Sequence, residues 1–421
     1  MASLYQEIPD YLKLELDVSR ILTEQELYGW YFNEPAAREL AQALYSELET
    51  LEAVLRNRYP FVAGREFTPK RVNRSLGYVA GATCTKLVDF NPSSRDHIAW
   101  IMQKLHGWEP DKKTKAGKTA IDETVLKEIG TEEALQFFRC LELTKQLGML
   151  SEGKNAYLKL VKDNRIHPHC SVATNTHRCA HRNPNLAQVP SDLAFRALFT
   201  ASPNKVMVGA DLSGIELRML AHYLARYDGG RYGDVLLNGD IHQVNADKIG
   251  ISRRLVKTVT YAFLYGAGDQ KIGLSYDPLL PPNKAKEKGA EIRAAYVAAI
   301  DGLDSLLTDI RKAGDRGFIK AIDGRKIPVD SPHKCLNYLL QSSAGVVAKR
   351  WMAIADRENM FSHTHQLAFV HDELQYETTP DNANDLKFLL ELCASLAGEY
   401  YNLRIPIAAE GKIGSTWADV H

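Results

Sequence analysis

Two aspartates stand beside apolar runs. Asp211 closes the stretch KVMVGA (205–210), and Asp372 sits in the middle of QLAFVHDELQYET (366–378). A carboxylate that follows a buried run is expensive to desolvate without a partner. Two of them brought together repel unless cations neutralise them. A pair of divalent metals ~4 Å apart is the usual solution, and phosphoryl transfer the usual chemistry. The pattern alone leaves a plainer reading open, in which Asp211 caps a helix starting near Ser213 and Asp372 stabilises a turn. A second constellation lies in ISRRLVKTVTYAFLYG (251–266), where Arg253, Lys257, Tyr261 and Tyr265 recur every four residues. That spacing sets two cations and then two aromatic rings along one helix face. The combination suits a nucleoside triphosphate, with cations on the phosphates and a ring against base or sugar. An interface helix with snorkelling cations would show the same pattern.

The elements that must position these residues can be read in order. Residues 34–57 are rich in Ala, Leu and Glu without glycine and predict a helix. Residues 62–90, with scattered glycines and basic residues, read as a loop-rich excursion. A capped helix follows at 91–107, with Ser93 or Ser94 near its N-cap. The stretch 111–120 reads as a basic exposed turn, and 121–160 returns to helical patterning. Residues 165–190 are polar, basic and helix-poor. KVMVGADLS (205–213) then predicts a buried strand and 214–227 an amphipathic helix. Further helices are expected at 251–266, ended by glycine, and at 283–313. Residues 366–378 predict a strand, a tight turn and a strand. The end of the chain reads as strand-like pieces with a polar tail. The middle helices thus interrupt one sheet domain that the C-terminal segment completes.

Composition bounds the class. Of 421 residues, 45% are hydrophobic and 25% charged, which excludes a fibrous or disordered chain. The length suggests two to four domains. Six cysteines stand without a CxxC pair, so neither a disulfide framework nor a zinc knuckle is expected, and a reducing interior is the simplest setting. There is no signal-peptide pattern and no apolar run long enough to span a membrane. A soluble, cytoplasmic protein is expected.

DLSGIELR (211–218), RRLVKTVTYAFLYG (253–266) and VHDE (370–373) occur in the order and spacing of motifs A, B and C of the A-family DNA polymerases, which they resemble. DNRIHPHC (163–170) and THRCAHRNPNLAQVP (176–190) resemble the segment that joins thumb to palm. GDIH (239–242), LYGAGDQKIG (264–273), DGRKIPVDSPHKCLNYLLQSSAG (323–345), NPSSRDH (91–97) and a C-terminal EGKIG…W…H resemble the phage replicative branch, which contains a thioredoxin-dependent enzyme. The resemblance covers roughly residues 20–421. It implies an α+β right-hand fold with an antiparallel palm sheet and helical thumb and fingers. The implied divisions are an N-terminal segment (1–19), thumb (20–165), a first palm part (166–227), fingers (228–323) and a second palm part (324–421).

The resemblance also assigns roles. Asp211 and Asp372 would bind two Mg²⁺ ions, with Mn²⁺ able to substitute, and the Leu212 carbonyl would join them. Glu373 would support the metal site, although alone it could be a surface carboxylate. Arg253 and Lys257 would grip the triphosphate, and Lys257 would protonate the leaving pyrophosphate. His242 would reach the triphosphate, although alone it could be a structural histidine. Glu216 and Tyr261 would meet beneath the sugar and exclude a 2′-hydroxyl. Tyrosine at 261 implies tolerance of dideoxynucleotides. Tyr265 and Gly266 would pack at the insertion-site end of the templating path. Arg178, Asn337, Gln341 and His371 would track primer–template DNA, with Arg178 and Gln341 on minor-groove acceptors common to all four base pairs. Gln341 alone could be an ordinary polar residue of a helix.

Two departures from the phage branch shape the expectations. Few residues precede thumb-like sequence, so neither an intrinsic 3′–5′ exonuclease nor a 5′-nuclease is expected, which leaves room for a separate exonuclease or processivity factor. Residues 58–90 are shorter than the basic insertion of the thioredoxin-dependent relative. They keep Arg65, Lys70, Arg71 and Arg74, which could brush DNA phosphates, but thioredoxin independence is expected. The leading reading is a phage-type replicative DNA polymerase in an infected host cell. A repair or organellar polymerase shares its chemistry. A dead DNA-binding module is disfavoured by Asp211, Asp372, Arg253 and Lys257, and a single-subunit RNA polymerase by Glu216 with Tyr261. The balance of 52 basic and 52 acidic residues conceals an uneven distribution, with basic clusters at 65–74, 112–118 and 151–182, so salt-sensitive DNA binding is expected.

Overall fold

The computed structural model describes residues 8–110, 117–172, 174–278 and 280–421. They gather into two compact units: Glu34–Lys159, and the segment up to Asn33 together with Leu160–His421. The fold is α+β. Among the described residues no helix is long and apolar enough to cross a membrane.

The larger unit is organised by a four-stranded antiparallel sheet in the order His365–Val370, Glu373–Thr378, Val206–Leu212, Ala409–Gly414. Every residue of Glu373–Thr378 is buried, as are Met207, Val208 and Ala210. The continuous apolar run 206–210 suits a strand covered on both faces, whereas its neighbour buries the polar Glu373, Gln375, Glu377 and Thr378. A β-carbon at Gly209 would lie 2.7 Å from the Gln375 side chain and from the Val420 carbonyl. Glycine therefore lets the short helix Trp417–Val420 lie against this strand. The expected polar tail is in fact anchored: Trp417 is 1% exposed, with its ring 5.1 Å from Trp30 and 5.7 Å from Phe199. Burying such a ring contributes ~1.5–3 kcal/mol, which outweighs the polarity of its neighbours.

The helix Ala383–Tyr400 packs on Val206–Leu212 and Ala409–Gly414, and the long helix Cys335–Glu358 packs on it in turn. Trp351 Nε1 donates to the Leu390 carbonyl at 2.8 Å between these two helices. The helix Asp10–Tyr28 runs through residue 20, where the sequence division began the thumb. Its buried Leu14, Val18, Ile21, Leu22 and Gln25 form one face, and it packs in the larger unit on Cys335–Glu358 and His365–Val370. The helical insertion comprises Arg231–Asn238, Ile241–Ile249, Arg253–Leu264, Asp269–Tyr276, Pro282–Ala299 and Leu303–Gly314. The run expected over 283–313 is two helices, broken where Gly302 turns with φ +81°.

The smaller unit packs Glu34–Arg58, Arg95–Leu105, Glu123–Ile129 and Glu132–Leu147 around Leu55, Ile98, Ile101, Leu126 and Phe137. The Ser94 side chain caps Arg95–Leu105 by accepting the His97 N–H at 3.4 Å. The expected loop at 62–90 contains an antiparallel hairpin, Phe61–Phe67 with Cys84–Asp89. Most of its residues face solvent, so the alternation that marks a half-buried strand is missing from the sequence. Residues 111–116 of the expected basic turn lie outside the described residues. All six cysteines are free thiols.

Candidate active site

Strand pairing alone brings the two aspartates together. The ladder sets Asp211 opposite Glu373, and the Leu212 N–H donates to the Asp372 carbonyl at 3.0 Å. The turn between the strands places His371 at φ +59°, a left-handed conformation uncommon for a non-glycine residue. Asp211 is not a helix cap. The helix Ile215–Asp228 is entered through Gly214, with no side-chain cap.

The electrostatics of the pair are unfavourable. Burial, then the charges of Asp211 and Glu216, push the Asp372 carboxyl up to about 7. Asp211 reaches solvent, yet partial loss of water, then Glu373, pushes it up to about 6. Arg178 opposes the shift at Asp372, but its guanidinium is paired to Glu216 at 2.6 Å. Two carboxylates that resist ionisation through burial and mutual repulsion form an under-neutralised oxygen donor set, which is what hard divalent cations take. Leu212 is buried and paired with Ala409, directly after Asp211 on the same strand.

This repulsion has a stability consequence. A carboxyl raised in the folded state binds more protons there than in the unfolded chain. Stability is therefore lost as pH rises from about 4 through about 7. Asp372→Asn removes that penalty. In EDTA, thermal melts at pH 8 should rise by a few degrees, on the order of 1–3 kcal/mol, and the gain should vanish near pH 4. Equal melting temperatures at pH 8 would contradict the assigned repulsion.

Glu373 is buried and fully engaged. It accepts from Trp417 Nε1 at 2.6 Å, from His421 Nδ1 at 2.9 Å and from Gln375 Nε2. These donors fix the carboxylate beside Asp211. The role of Gln375 was not signalled by sequence. Trp417 and His421 were signalled only as letters in the C-terminal match.

The second wall comes from the first turn of Ile215–Asp228. Glu216 accepts from Arg178 Nη2 at 2.6 Å and from the Tyr265 hydroxyl at 3.1 Å. The aromatic partner expected for Glu216 was Tyr261; the hydroxyl that reaches it is Tyr265. Tyr265 closes the helix, its N–H still donating to the Tyr261 carbonyl at 2.9 Å, so its side chain stands one turn beyond Tyr261 on the same face, where its hydroxyl meets Glu216. Tyr261 stays nearby, its ring 6.5 Å from that of Tyr265. Its phenol is raised by burial and then by Glu216 and Asp372. Burial, then Glu216, pushes Tyr265 up to about 12.

Arg253 begins its helix behind the Ser252 N-cap, and its Nε donates to Asp240 at 2.6 Å. Asp240 also accepts from the His242 and Gln243 N–H groups, capping Ile241–Ile249. Sequence reasoning passed over this aspartate although it lies within GDIH. Lys257 is exposed one turn beyond Arg253. His242 is buried, and its Nδ1 has no hydrogen-bond partner among the described residues. Burial lowers its pKa, and its ring lies 6.2 Å from Tyr261.

The expected DNA-tracking residues divide. Asn337 is buried, and its Nδ2 donates to the Leu264 carbonyl at 2.8 Å, so its amide holds the end of the Arg253–Leu264 helix. Gln341 follows one turn later, half-buried. His371 is exposed at the turn, its ring 6.4 Å from that of His181. In the basic stretch 151–182, Arg165 is turned inward onto the Gly29 carbonyl and Ser202, so this cation serves the fold.

The sequence model of DNA polymerase family A matches residues 71–419. The chain is similar to the DNA-directed DNA polymerases of Enterobacteria phage T3 and Escherichia phage T7, each 35% identical over 82% of this chain and 55% of the relative. The chain thus spans about half the length of these curated relatives. It is also similar to DNA polymerase I of Pseudomonas aeruginosa, at 26% identity over 79% of this chain and 39% of that protein. Among solved structures it resembles the POL domain of Pol1 from M. smegmatis in complex with DNA primer-template and dNTP. That likeness has a TM-score of 0.76 at 20% identity, covering 96% of this chain and 70% of the other.

Proposed function

The chain belongs to DNA polymerase family A, and on that premise we propose that it is a template-directed DNA polymerase, extending a primer 3′ end with deoxynucleoside triphosphates and releasing pyrophosphate. The observation that carries this reading is the meeting of Asp211, near the end of its strand, with Asp372, in the turn that enters the neighbouring strand, tied through Glu216 and Tyr265 to the helix bearing Arg253 and Lys257. Replication of phage DNA is the setting the relatives favour. The unit Glu34–Lys159 supplies the thumb, the four-stranded sheet the palm, and the helices between residues 228 and 323 the fingers.

Asp211, Asp372 and the Leu212 carbonyl would hold two Mg²⁺ ions, whose chemistry is to favour the alkoxide of the primer hydroxyl and to neutralise the triphosphate. The protein's own residues do the rest. Glu373, gripped by Trp417, His421 and Gln375, keeps the end of the strand pair in place. Arg253 and Lys257 bind the β- and γ-phosphates, for which Arg253 exchanges Asp240 for substrate. Lys257 delivers a proton to the leaving pyrophosphate. His242 adds a contact to the triphosphate. Glu216 and Tyr261 close the space under the sugar, while Tyr265 and Gly266 mark the templating end. Arg178, Gln341 and His371 lie against the primer–template, and Asn337 supports the fingers helix beside it.

Primer extension with Mg²⁺, comparing deoxy- and ribonucleotides, tests the proposal directly. Extension confined to deoxynucleotides and dependent on a paired template is expected; binding without extension, or preference for ribonucleotides, would overturn it. The Tyr261 hydroxyl gives a finer test. It can stand in for the interaction that a missing 3′-hydroxyl leaves open. The unaltered chain should therefore use dideoxynucleotides nearly as well as deoxynucleotides, and Tyr261→Phe should discriminate against them by ~10²–10³-fold, the effect of one well-placed donor. Strong discrimination by the unaltered chain would sink this role.

A further inference from the structure

We infer that five buried polar side chains of the helical insertion, Tyr232, His242, Asn245, Thr260 and Tyr296, enclose ordered water. Through that water the other four act as positioning residues for His242. They fix its ring so that Nε2 presents an N–H to the triphosphate. This rests on the polymerase reading, in which His242 meets that group.

The hydrogen-bonding groups of these side chains are unmet. Tyr232, His242 and Asn245 are 6%, 8% and 2% exposed, and Thr260 and Tyr296 are 1% and 0% exposed. The three hydroxyls, Asn245 Nδ2 and His242 Nδ1 are enclosed, and none has a hydrogen-bond partner among the described residues. A buried polar group left dry loses its hydration and gains nothing in return. Such groups are few in folded proteins, and buried water satisfies them where several gather. Thr260 shows that helix geometry alone does not account for the set. Thr23, Thr50, Thr144 and Thr258 each donate their hydroxyl to the carbonyl four residues back. Thr260, on the same helix as Thr258, does not.

The side chains gather in one place. They stand on four helices, Arg231–Asn238, Ile241–Ile249, Arg253–Leu264 and Pro282–Ala299, and Ile241–Ile249 packs on the other three. His242 and Asn245, three residues apart, share a face of that helix. Thr260 and Phe263 share a face of theirs, and the Phe263 ring lies 5.1 Å from that of Tyr296. Burial raises the Tyr296 phenol, and the nearby Thr260 hydroxyl opposes the shift without standing in hydrogen-bond geometry to it. Burial, then Tyr296 and Tyr261, raises the Tyr232 phenol. The Tyr261 ring in turn lies 6.2 Å from that of His242. At about three hydrogen bonds per buried water, these groups suit roughly one or two molecules.

The set is rich in donors. Asn245 Nδ2 can only donate, and the hydroxyls can donate or accept. Water held among them can therefore donate to His242 Nδ1, the nitrogen of that ring enclosed without a partner. Burial favours the neutral imidazole. A neutral ring that accepts at Nδ1 carries its proton on Nε2, which is the tautomer a phosphate oxygen requires.

The test uses the full chain. In a crystal, solvent density should lie within hydrogen-bond distance of His242 Nδ1 and of at least two of the other four groups. Nitrogen-15 spectra of histidine-labelled chain, without DNA or nucleotide, should show His242 unprotonated at Nδ1 and protonated at Nε2. Its signals are identified by difference from His242→Gln. Tyr232→Phe combined with Tyr296→Phe removes two hydroxyls and keeps both rings, and matched melting temperatures separate this change from misfolding. In that variant the His242 tautomers should mix, and KM for the incoming nucleotide should rise about three- to tenfold, the worth of one hydrogen bond. In a His242→Ala background the same two changes should leave KM unaltered. Absence of the density, His242 signals unmoved by the two changes, or a KM effect that survives without His242 overturns the inference. A chain that extends no primer would sink the polymerase reading, while the density and the nitrogen signals would still decide the water.

Discussion

Asp211→Ala and Asp372→Ala should each lower primer extension by more than ~10⁴-fold, while primer–template binding at constant salt changes little. The size follows from what each carboxylate does. Asp372 is half-buried, and its carboxyl is held near neutrality by burial and Asp211. The pair gains from a cation what nearby side chains do not supply in full, because Arg178 is committed to Glu216 and His421 and Lys412 do not offset burial and Glu373 at Asp211. Removing either aspartate halves the donor set, and residues that act as a unit lose nearly everything together. The double variant should therefore be little worse than either single one. Rapid-quench extension measures the rate and fluorescence anisotropy the binding. Extension persisting within tenfold in either single variant would refute the metal assignment.

Lys257→Ala should lower the maximal rate of nucleotide addition by ~10²–10⁴-fold, the range for a positioned general acid. Lys257 stands exposed on the same helix face as Arg253, so it has two separable duties: charge on the phosphates and a proton for pyrophosphate. Lys257→Arg separates them. Arginine keeps the charge and binds phosphate well, but it does not give up a proton. It should restore the KM for the incoming nucleotide and leave kcat low. Full recovery of kcat by arginine would reduce Lys257 to a point charge. Arg253 gives the contrasting case. It exchanges Asp240 for the phosphates and, as an arginine, supplies charge but no proton, so Arg253→Ala should act chiefly on KM.

Much of the site was legible because its signals are local. Asp211 after an apolar run, the VHDE turn and the four-residue stripe from Arg253 to Tyr265 are each set by one strand or one helix, whose periodicity is written in consecutive residues. What was missed is not local. Asp240 reaches Arg253 across two helices, Arg178 reaches Glu216 across 38 positions, and Gln375 turns onto Glu373 only because the sheet buries both. The choice of Tyr265 over Tyr261 as partner of Glu216 depends on how the helix Arg253–Leu264 lies against the first turn of Ile215–Asp228, which places Glu216 at the Tyr265 hydroxyl.

The hairpin and the final helix show the same division from the side of the fold. Residues 61–89 lack a buried face along most of their length, so no alternation announced the strands. Trp417 lies among polar residues, and its burial was decided by Trp30 and Phe199, far away in sequence. By itself the sequence determined the family, the α+β class, the two aspartates proposed to bind metal and the cation–aromatic helix, because each is encoded by residue type at short spacing. The tertiary structure alone decided which charges are already paired and which are left for a ligand, because pairing depends on distance in space, and most partners stand dozens to hundreds of residues apart in the chain.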